Sequence, residues 1–118
     1  MAPPRDQDEQ ATLLCGGSPV APVRIASTLR SRYRGLLGTD TCDGALLLVH
    51  VNGVHTFGMR YPIDVVYLSA ALRVVRVITM RPGRIALPWP RCRHTLEAEA
   101  GNMERWGIEP GADLVTRS

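Results

Sequence analysis

The sequence contains no lysine, and all fourteen of its basic residues are arginine. Without a lysine amine there is no Schiff base and no phosphate-loop lysine, so the enzyme classes that depend on them are excluded. The net charge of +3 is spread along the chain, with only Arg30, Arg32 and Arg34 close together. Electrostatic binding to nucleic acid needs basic residues clustered on one face, so we expect no nucleic-acid partner.

Cysteine is also scarce. Cys15, Cys42 and Cys92 are an odd number with wide spacings, which fits neither a disulfide framework nor a Cys-x-x-Cys motif. The first ten residues are rich in proline and acidic groups, unlike a signal peptide, and no apolar run is long enough to span a membrane. These absences predict free thiols, no membrane partner and a cytoplasmic protein.

What remains is an ordinary globular composition, with 118 residues of which 45% are hydrophobic and 21% charged. A chain of this size suits one domain with one core. We expect residues 1–19 to form a flexible N-terminal tail with a possible edge strand at residues 11–15. Residues 20–118 are expected to form the single domain.

Strand patterns dominate that domain. The apolar run at residues 44–51 predicts a central strand covered on both faces, and residues 63–68 and 72–80 predict an antiparallel hairpin. Residues 92–99 alternate, with Cys92, His94, Leu96 and Ala98 on the core face and Arg93, Thr95, Glu97 and Glu99 facing water. Residues 81–90 are rich in proline and predict a long loop.

Helical patterns are short. Ser27 is a candidate N-cap for an amphipathic helix that stops at Gly38, and its apolar face consists of Leu29, Tyr33, Leu36 and Leu37. A second helical turn is predicted at residues 102–106. Short strands with one or two brief helices predict an α+β, mostly β domain, with an antiparallel or mixed barrel-like sheet.

The segment at residues 55–64 gathers ionisable and soft side chains between two apolar strands. Asp64 begins an apolar strand, so its carboxylate is expected to be partly buried and to need a partner, for which Arg60 is the nearest cation. The pair is either a structural ion pair or the polar anchor of a ligand pocket that also contains His55 and Met59. Loops between rigid strands are where binding sites usually lie.

The sequence offers candidate residues for metal binding and for acid–base catalysis, but no motif for either. His55 and Met59, with His50, His94 and the cysteines, offer ligands for a soft metal such as copper or zinc, but their spacing matches no metal motif. Glu97 and Glu99 share a strand face, as a general acid and base pair or as solvated groups. We therefore expect no metal site and no cofactor.

Four segments resemble, in the same order, domain-of-unknown-function family 192, also called uncharacterised protein family 0127. RGLLG at residues 34–38 resembles the family's Arg-Gly-Leu-Met or Arg-Gly-Leu-Leu segment, and HTFGMRYPIDVVYL at residues 55–68 resembles its central signature. LEAEAG at residues 96–101 and GAD at residues 111–113 are similar to its closing elements, although Ala112 separates a glycine and an aspartate that are usually adjacent. A further departure is Ser-Ala-Ala at residues 69–71 in place of a turn with Asp and Gly.

The resemblance covers about residues 23–115 and implies a compact, strongly curved β-rich fold with short helices, but no established activity. The motif positions it singles out are Gly35, Met59, Pro62, Asp64, Glu97 and Gly101.

From the residues and the resemblance together we predict a non-catalytic accessory module that binds an unknown small molecule or protein. The predicted binding residues are His55, Met59, Arg60, Asp64 and Glu97. The alternatives are a small enzyme that uses Asp64, Glu97 and His55, or a copper- or zinc-binding protein.

Overall fold

The computed structural model describes residues 8–118, so residues 1–7 of the predicted tail lie outside the described residues. Within this range the chain forms nine strands and two short helices. In chain order these are β1 (Glu9–Cys15), β2 (Ser18–Ala26), α1 (Leu29–Arg34), β3 (Ala45–Leu48), β4 (Val54–His55), β5 (Ile63–Leu68), β6 (Val74–Met80), β7 (Ile85–Ala86), β8 (His94–Glu99), α2 (Asn102–Arg105) and β9 (Leu114–Arg117).

Seven of the strands form one mixed sheet in the order β6-β5-β8-β3-β2-β1-β9, and β4 and β7 form a separate two-stranded sheet. All neighbours in the large sheet are antiparallel except β2 and β3, which are parallel. The sheet curls strongly into a half-barrel. The predicted mostly β fold with a curved, mixed sheet and two short helices is therefore confirmed. None of the helices in residues 8–118 has the length and apolarity needed to cross a membrane.

Both faces of the sheet are covered by apolar side chains. The α2-side core contains Leu13, Val23, Ala45, Leu47, Val66, Leu68, Val74, Leu96, Ala98, Met103, Ile108 and Leu114. The cleft-side core contains Ala26, Leu36, Leu46, Leu48, Met59, Ile63, Val65, Tyr67, Met80 and Ala86. Every residue of β3 and β5 is buried as a result, which confirms the prediction of a central apolar strand at β3.

The predicted hairpin is also confirmed, since β5 and β6 pair antiparallel in register from Ile63 opposite Met80. The turn at Ser69–Arg73 contains no glycine. Leu72 takes the positive φ of 66° that a glycine usually supplies. Backbone hydrogen bonds between Ser69 and Arg73 and from Leu72 to Ser69, each of 2.9 Å, close the turn.

Four local expectations need correction, and they concern β1, the loop at residues 81–90, the first helix and β8. β1 is not an edge strand, because β9 returns from the end of the chain and pairs with Thr12–Cys15 on the side opposite β2. The loop at residues 81–90 contains the short strand β7, which pairs with β4.

The first helix is shorter than predicted and is capped by Thr28, whose hydroxyl accepts a hydrogen bond from the Ser31 amide at 3.1 Å. It buries none of its residues, and Leu29 and Tyr33 are 79% and 80% exposed. The chain turns away at Gly35, so the apolar residues that reach the core are Leu36 and Leu37, which follow the helix.

β8 does not show one face to water. It lies between β5 and β3, and Thr95 and Glu97 on its polar face are as buried as Leu96 and Ala98 on the other. The alternation correctly separates the two faces, but residues distant in sequence cover the polar one.

The burial of β8 generates a stability prediction. Leu96→Ala removes a side chain with 0% exposure and should lower the free energy of unfolding by about 2–5 kcal/mol, through lost burial and the cavity left behind. Leu87→Ala, at a leucine that is 70% exposed, is the matched control and should change it by less than about 0.5 kcal/mol. Urea denaturation measures both, and equal losses would contradict the assignment of β8 to the core.

Candidate functional site

A cleft of about 370 Å³ opens on the cleft-side core, between the segment from α1 to Leu37 and the chain from Leu48 to Met59. Its volume is within the range of small-molecule pockets, roughly 300–1,000 Å³. Apolar side chains make most of the wall: Leu36, Leu37, Leu48, Val51, Val54 and Met59. Polar side chains enter it from three directions, namely Glu97 on β8, His55 on β4, and Arg32 and Arg34 on α1.

A hydrogen bond of Arg32 attaches α1 to the chain that follows β3. The Arg32 guanidinium donates to the Val49 carbonyl oxygen at 3.1 Å and to the Thr28 carbonyl oxygen at 3.4 Å. The Val49 amide in turn donates to the Ala26 carbonyl oxygen at the end of β2, at 3.1 Å. A six-residue helix is marginal by itself, so these contacts and the Thr28 cap keep it in place.

Gly35 brings the chain close to the floor of the cleft. Its φ of 51° and ψ of −128° form a conformation that residues with a side chain rarely adopt. A Cβ atom at this position would lie 3.4 Å from Glu97 Oε1. Gly35 therefore lets the turn after α1 pass directly over the Glu97 carboxyl group.

The Glu97 carboxyl group forms the floor. Glu97 is 4% exposed, and its neighbours in register on the adjacent strands are apolar, Leu46 on β3 and Val65 on β5. Its side chain accepts no hydrogen bond from any residue between 8 and 118, and burial raises its pKa to about 7. A carboxyl group with these properties gains or loses its proton near neutral pH, which suits it to ligand binding or to proton transfer.

His55 and Met59 lie on the other wall. Met59 is buried and belongs to the cleft-side core, whereas His55 is exposed at the rim, stacked on Phe57 with ring centroids 5.2 Å apart. Between them Thr56 is fully buried, and its hydroxyl donates to the Arg81 carbonyl oxygen at 2.6 Å and accepts from the Arg84 amide at 2.8 Å. These bonds fix the loop that carries both predicted site residues.

The predicted pair of Arg60 and Asp64 does not form. Arg60 instead pairs with Asp40 at 2.7 Å, where both side chains are largely exposed. Asp64 points to the opposite face of the sheet, because successive residues of a strand alternate and Ile63 and Val65 face the cleft-side core. There its carboxylate accepts hydrogen bonds from the Thr79 hydroxyl at 2.7 Å and from the Gly101 and Met103 amides at 2.9 and 3.2 Å.

The predicted site residues thus divide into two groups. His55, Met59 and Glu97 line the cleft, whereas Asp64 holds the start of α2 and Arg60 lies outside the cleft lining. Sequence reasoning missed Leu29, Arg32, Tyr33, Leu48 and Val51 as lining residues. Leu29 and Tyr33 were assigned to the core, and no local signal places Leu48 or Val51 at a cavity.

The metal-ligand candidates are dispersed. His50 and His94 contact each other, with the His50 amide donating to His94 Nδ1 at 2.9 Å, but neither lines the cleft. In the part of the chain that the structure describes, no three His, Cys, Asp or Glu side chains come together as metal ligands would. The three cysteines are unpaired, and burial raises the pKa of Cys42 to about 11, which leaves it an inert thiol.

The fold and the cleft together define a small half-barrel β domain with an apolar pocket and a buried acid. The sequence profile of DUF192, described as "Uncharacterized ACR", matches residues 12–116. The chain therefore belongs to this family, as the motifs indicated.

Relatives and solved structures agree with this assignment. The UPF0127 protein of Thermococcus gammatolerans is 33% identical over 100 residues, or 80% of this chain and 65% of that protein, and the UPF0127 protein of Thermococcus sibiricus is 30% identical over 98 residues, or 78% and 64%. The match thus spans just under two-thirds of the length of these relatives.

Two crystal structures share the fold. A protein of unknown function from Novosphingobium aromaticivorans superposes with a TM-score of 0.76 at 16% identity, covering 98% of this chain and 91% of that one. A proposed transcription regulator from Sinorhizobium meliloti gives 0.78 at 18% identity, covering 92% and 95%.

The role of Asp64 is tested by Asp64→Asn. Asparagine carries no charge, so the hydrogen bonds from the Gly101 and Met103 amides would lose their charge assistance and the free energy of unfolding should fall by about 1–3 kcal/mol. Asp113→Asn, at an exposed ion pair with Arg73, is the control and should cost clearly less. Chemical denaturation compares the two, and an Asp64→Asn protein as stable as the control would contradict the capping role.

The raised pKa of Glu97 makes stability depend on pH. The folded protein holds this proton up to about pH 7, whereas the unfolded chain releases it near 4.5, so the contribution is fully present below pH 4.5 and is lost as the pH rises to 7. Between pH 5 and pH 8 the wild-type protein should lose about 2–3 kcal/mol relative to Glu97→Gln. Urea denaturation at several pH values measures both proteins. An equal pH dependence of the free energy of unfolding in the two proteins would contradict a buried Glu97 with a raised pKa.

Proposed function

We propose that the chain is a non-catalytic module that binds a small molecule in the cleft between α1 and residues 48–59. The observation that carries the proposal is an apolar cavity with the buried Glu97 carboxyl group at its floor, to which no group in residues 8–118 donates a hydrogen bond. Binding pockets combine apolar walls with a few polar groups that orient the ligand in this way. The concave shape favours a small molecule over a protein surface as the partner.

The exposed face of α1 supports the same function. Leu29 and Tyr33 line the cleft while being about four-fifths exposed, so they contribute little to the core. Large apolar groups held in water at the mouth of a cavity gain burial when a ligand with an apolar body covers them. Leu29 and Tyr33 therefore suit a role in ligand contact.

A second candidate is an enzyme that uses Glu97 as a general acid or base. The pKa of about 7 favours it, because proton transfer is most efficient when the pKa of the catalytic group lies near the working pH. His55 lines the same cleft and offers a second titratable group. Asp64, the third residue of the expected catalytic set, is directed to the α2-side core and takes no part.

The binding function is tested with n-hexanol, a neutral probe with an apolar chain, followed by shifts of the NMR signals of cleft residues. The wild-type protein should show saturable shifts at the Met59 methyl and at Leu48 and Val51. The double variant Leu29→Ala, Tyr33→Ala should bind at least about fivefold more weakly with unchanged stability, since about 1 kcal/mol of apolar contact is lost.

Leu87→Ala is the matched control, because this leucine is similarly exposed but does not line the cleft. It should bind n-hexanol as the wild-type protein does. Shifts that do not saturate, or that lie outside the cleft, would overturn the proposal.

A further inference from the structure

We propose that the group of the ligand that reaches the floor of the cleft is a protonated amine on an apolar chain, and that the Glu97 carboxylate binds it. The inference rests on the proposed function of the cleft as a ligand site and names the chemical class of its occupant.

The Glu97 carboxylate has no hydrogen-bond donor and no cation as a partner in the described part of the chain. A buried carboxylate needs hydrogen-bond donors or a positive charge, and residues 8–118 supply neither to the side chain of Glu97. The contrast with Asp64 is direct, since that carboxylate accepts three hydrogen bonds from the protein itself. An alkylammonium group brings both a charge and three N–H donors to the floor.

The nearby arginines do not pair with the Glu97 carboxylate. The Arg32 guanidinium donates to the Thr28 and Val49 carbonyl oxygens and makes no hydrogen bond to Glu97. Arg34 is exposed on α1, where water and salt screen its charge. Arg24 lies on the same cross-strand row, beyond Leu46, and pairs with Asp8 at 3.4 Å.

A ligand group at the floor of the cleft can be anionic, neutral or cationic. An anionic group at the floor would face a carboxylate in an apolar pocket, which is repulsive. A neutral hydroxyl group forms one hydrogen bond but leaves the negative charge uncompensated. Among these three occupants, only a cation compensates the ionised form of Glu97 and leaves its apolar chain against Leu48, Val51 and Met59.

The other titratable groups around Glu97 bear on the pH dependence of binding. Arg32 and Arg34 on α1 are the other charged groups that line the cleft, and burial raises the pKa values of Cys42 and Tyr61, which stay neutral near pH 7. Hydrogen bonds from Thr41 and Cys42 lower the pKa of Glu99 on the same strand, so it stays ionised. His55 also lines the cleft, and the His55→Gln variant below removes any effect of its imidazole.

Because an ammonium ion binds the ionised form of Glu97, binding releases a proton below pH 7. An alkylammonium stays protonated throughout this range, as lysine does. The affinity for the amine should therefore fall about tenfold per pH unit below the pKa, or about a hundredfold between pH 8 and pH 5.

The experiment measures the affinities of n-hexylammonium, n-hexanol and n-hexanoate at pH 8 by NMR titration. The wild-type protein and the control Glu109→Gln, at an exposed glutamate outside the cleft, should bind n-hexylammonium at least about tenfold more tightly than the other two probes. Glu97→Gln should lose this preference and still bind n-hexanol.

The affinity is also measured between pH 8 and pH 5 on the wild-type protein and on His55→Gln. In both proteins the affinity for n-hexylammonium should fall toward pH 5, whereas the affinity for n-hexanol should not. This profile keeps the proposal testable if Glu97→Gln fails to fold. Equal affinities for the amine and the alcohol, or a preference for n-hexanoate, would overturn the amine inference while leaving the binding cleft intact. Absence of binding by all three probes would overturn the proposed function itself.

Discussion

The burial of both faces of the central sheet is the constraint on which the rest of this structure depends. β8 has hydrogen-bonded neighbours on each side, β5 and β3, and an apolar core against each face. A strand in this position cannot turn either face to water, so Glu97 is buried with the residues around it. The raised pKa follows from that position, because desolvation disfavours the charged form and no donor in the described part of the chain offsets it.

The six motif positions of the family resemblance fall into two spatial groups, one on each face of the sheet. Gly35, Met59 and Glu97 surround the cleft, where the glycine allows the chain to pass over the carboxyl group. Asp64 and Gly101 meet at the start of α2 through a 2.9 Å hydrogen bond, and the Pro62 carbonyl oxygen accepts from the neighbouring Ala100 amide. In one group the Asp64 carboxylate accepts hydrogen bonds that fix the start of α2. In the other the Glu97 carboxyl group lines a cavity.

The acidic residues show most clearly what sequence patterns can and cannot predict. The apolar strand after Asp64 correctly indicated that its carboxylate is buried and needs partners. The partner chosen, Arg60, was wrong because nearness in sequence does not determine which side of a strand a loop residue reaches. For Glu97 the alternation predicted a solvent-facing side chain, although the chain from α1 to Met59 covers that face.

The sequence by itself determined the mostly β character, the apolar strand β3, the hairpin of β5 and β6, and membership of the family. These properties rest on periodicity, composition and short motifs, which are encoded within a few neighbouring residues. Only the tertiary structure decided that β1 lies between β2 and β9, that Leu29 and Tyr33 stand at the mouth of a cleft, and that Glu97 forms its floor. Burial is the physical reason for the difference, since the exposure of a side chain depends on residues far along the chain that pack over it.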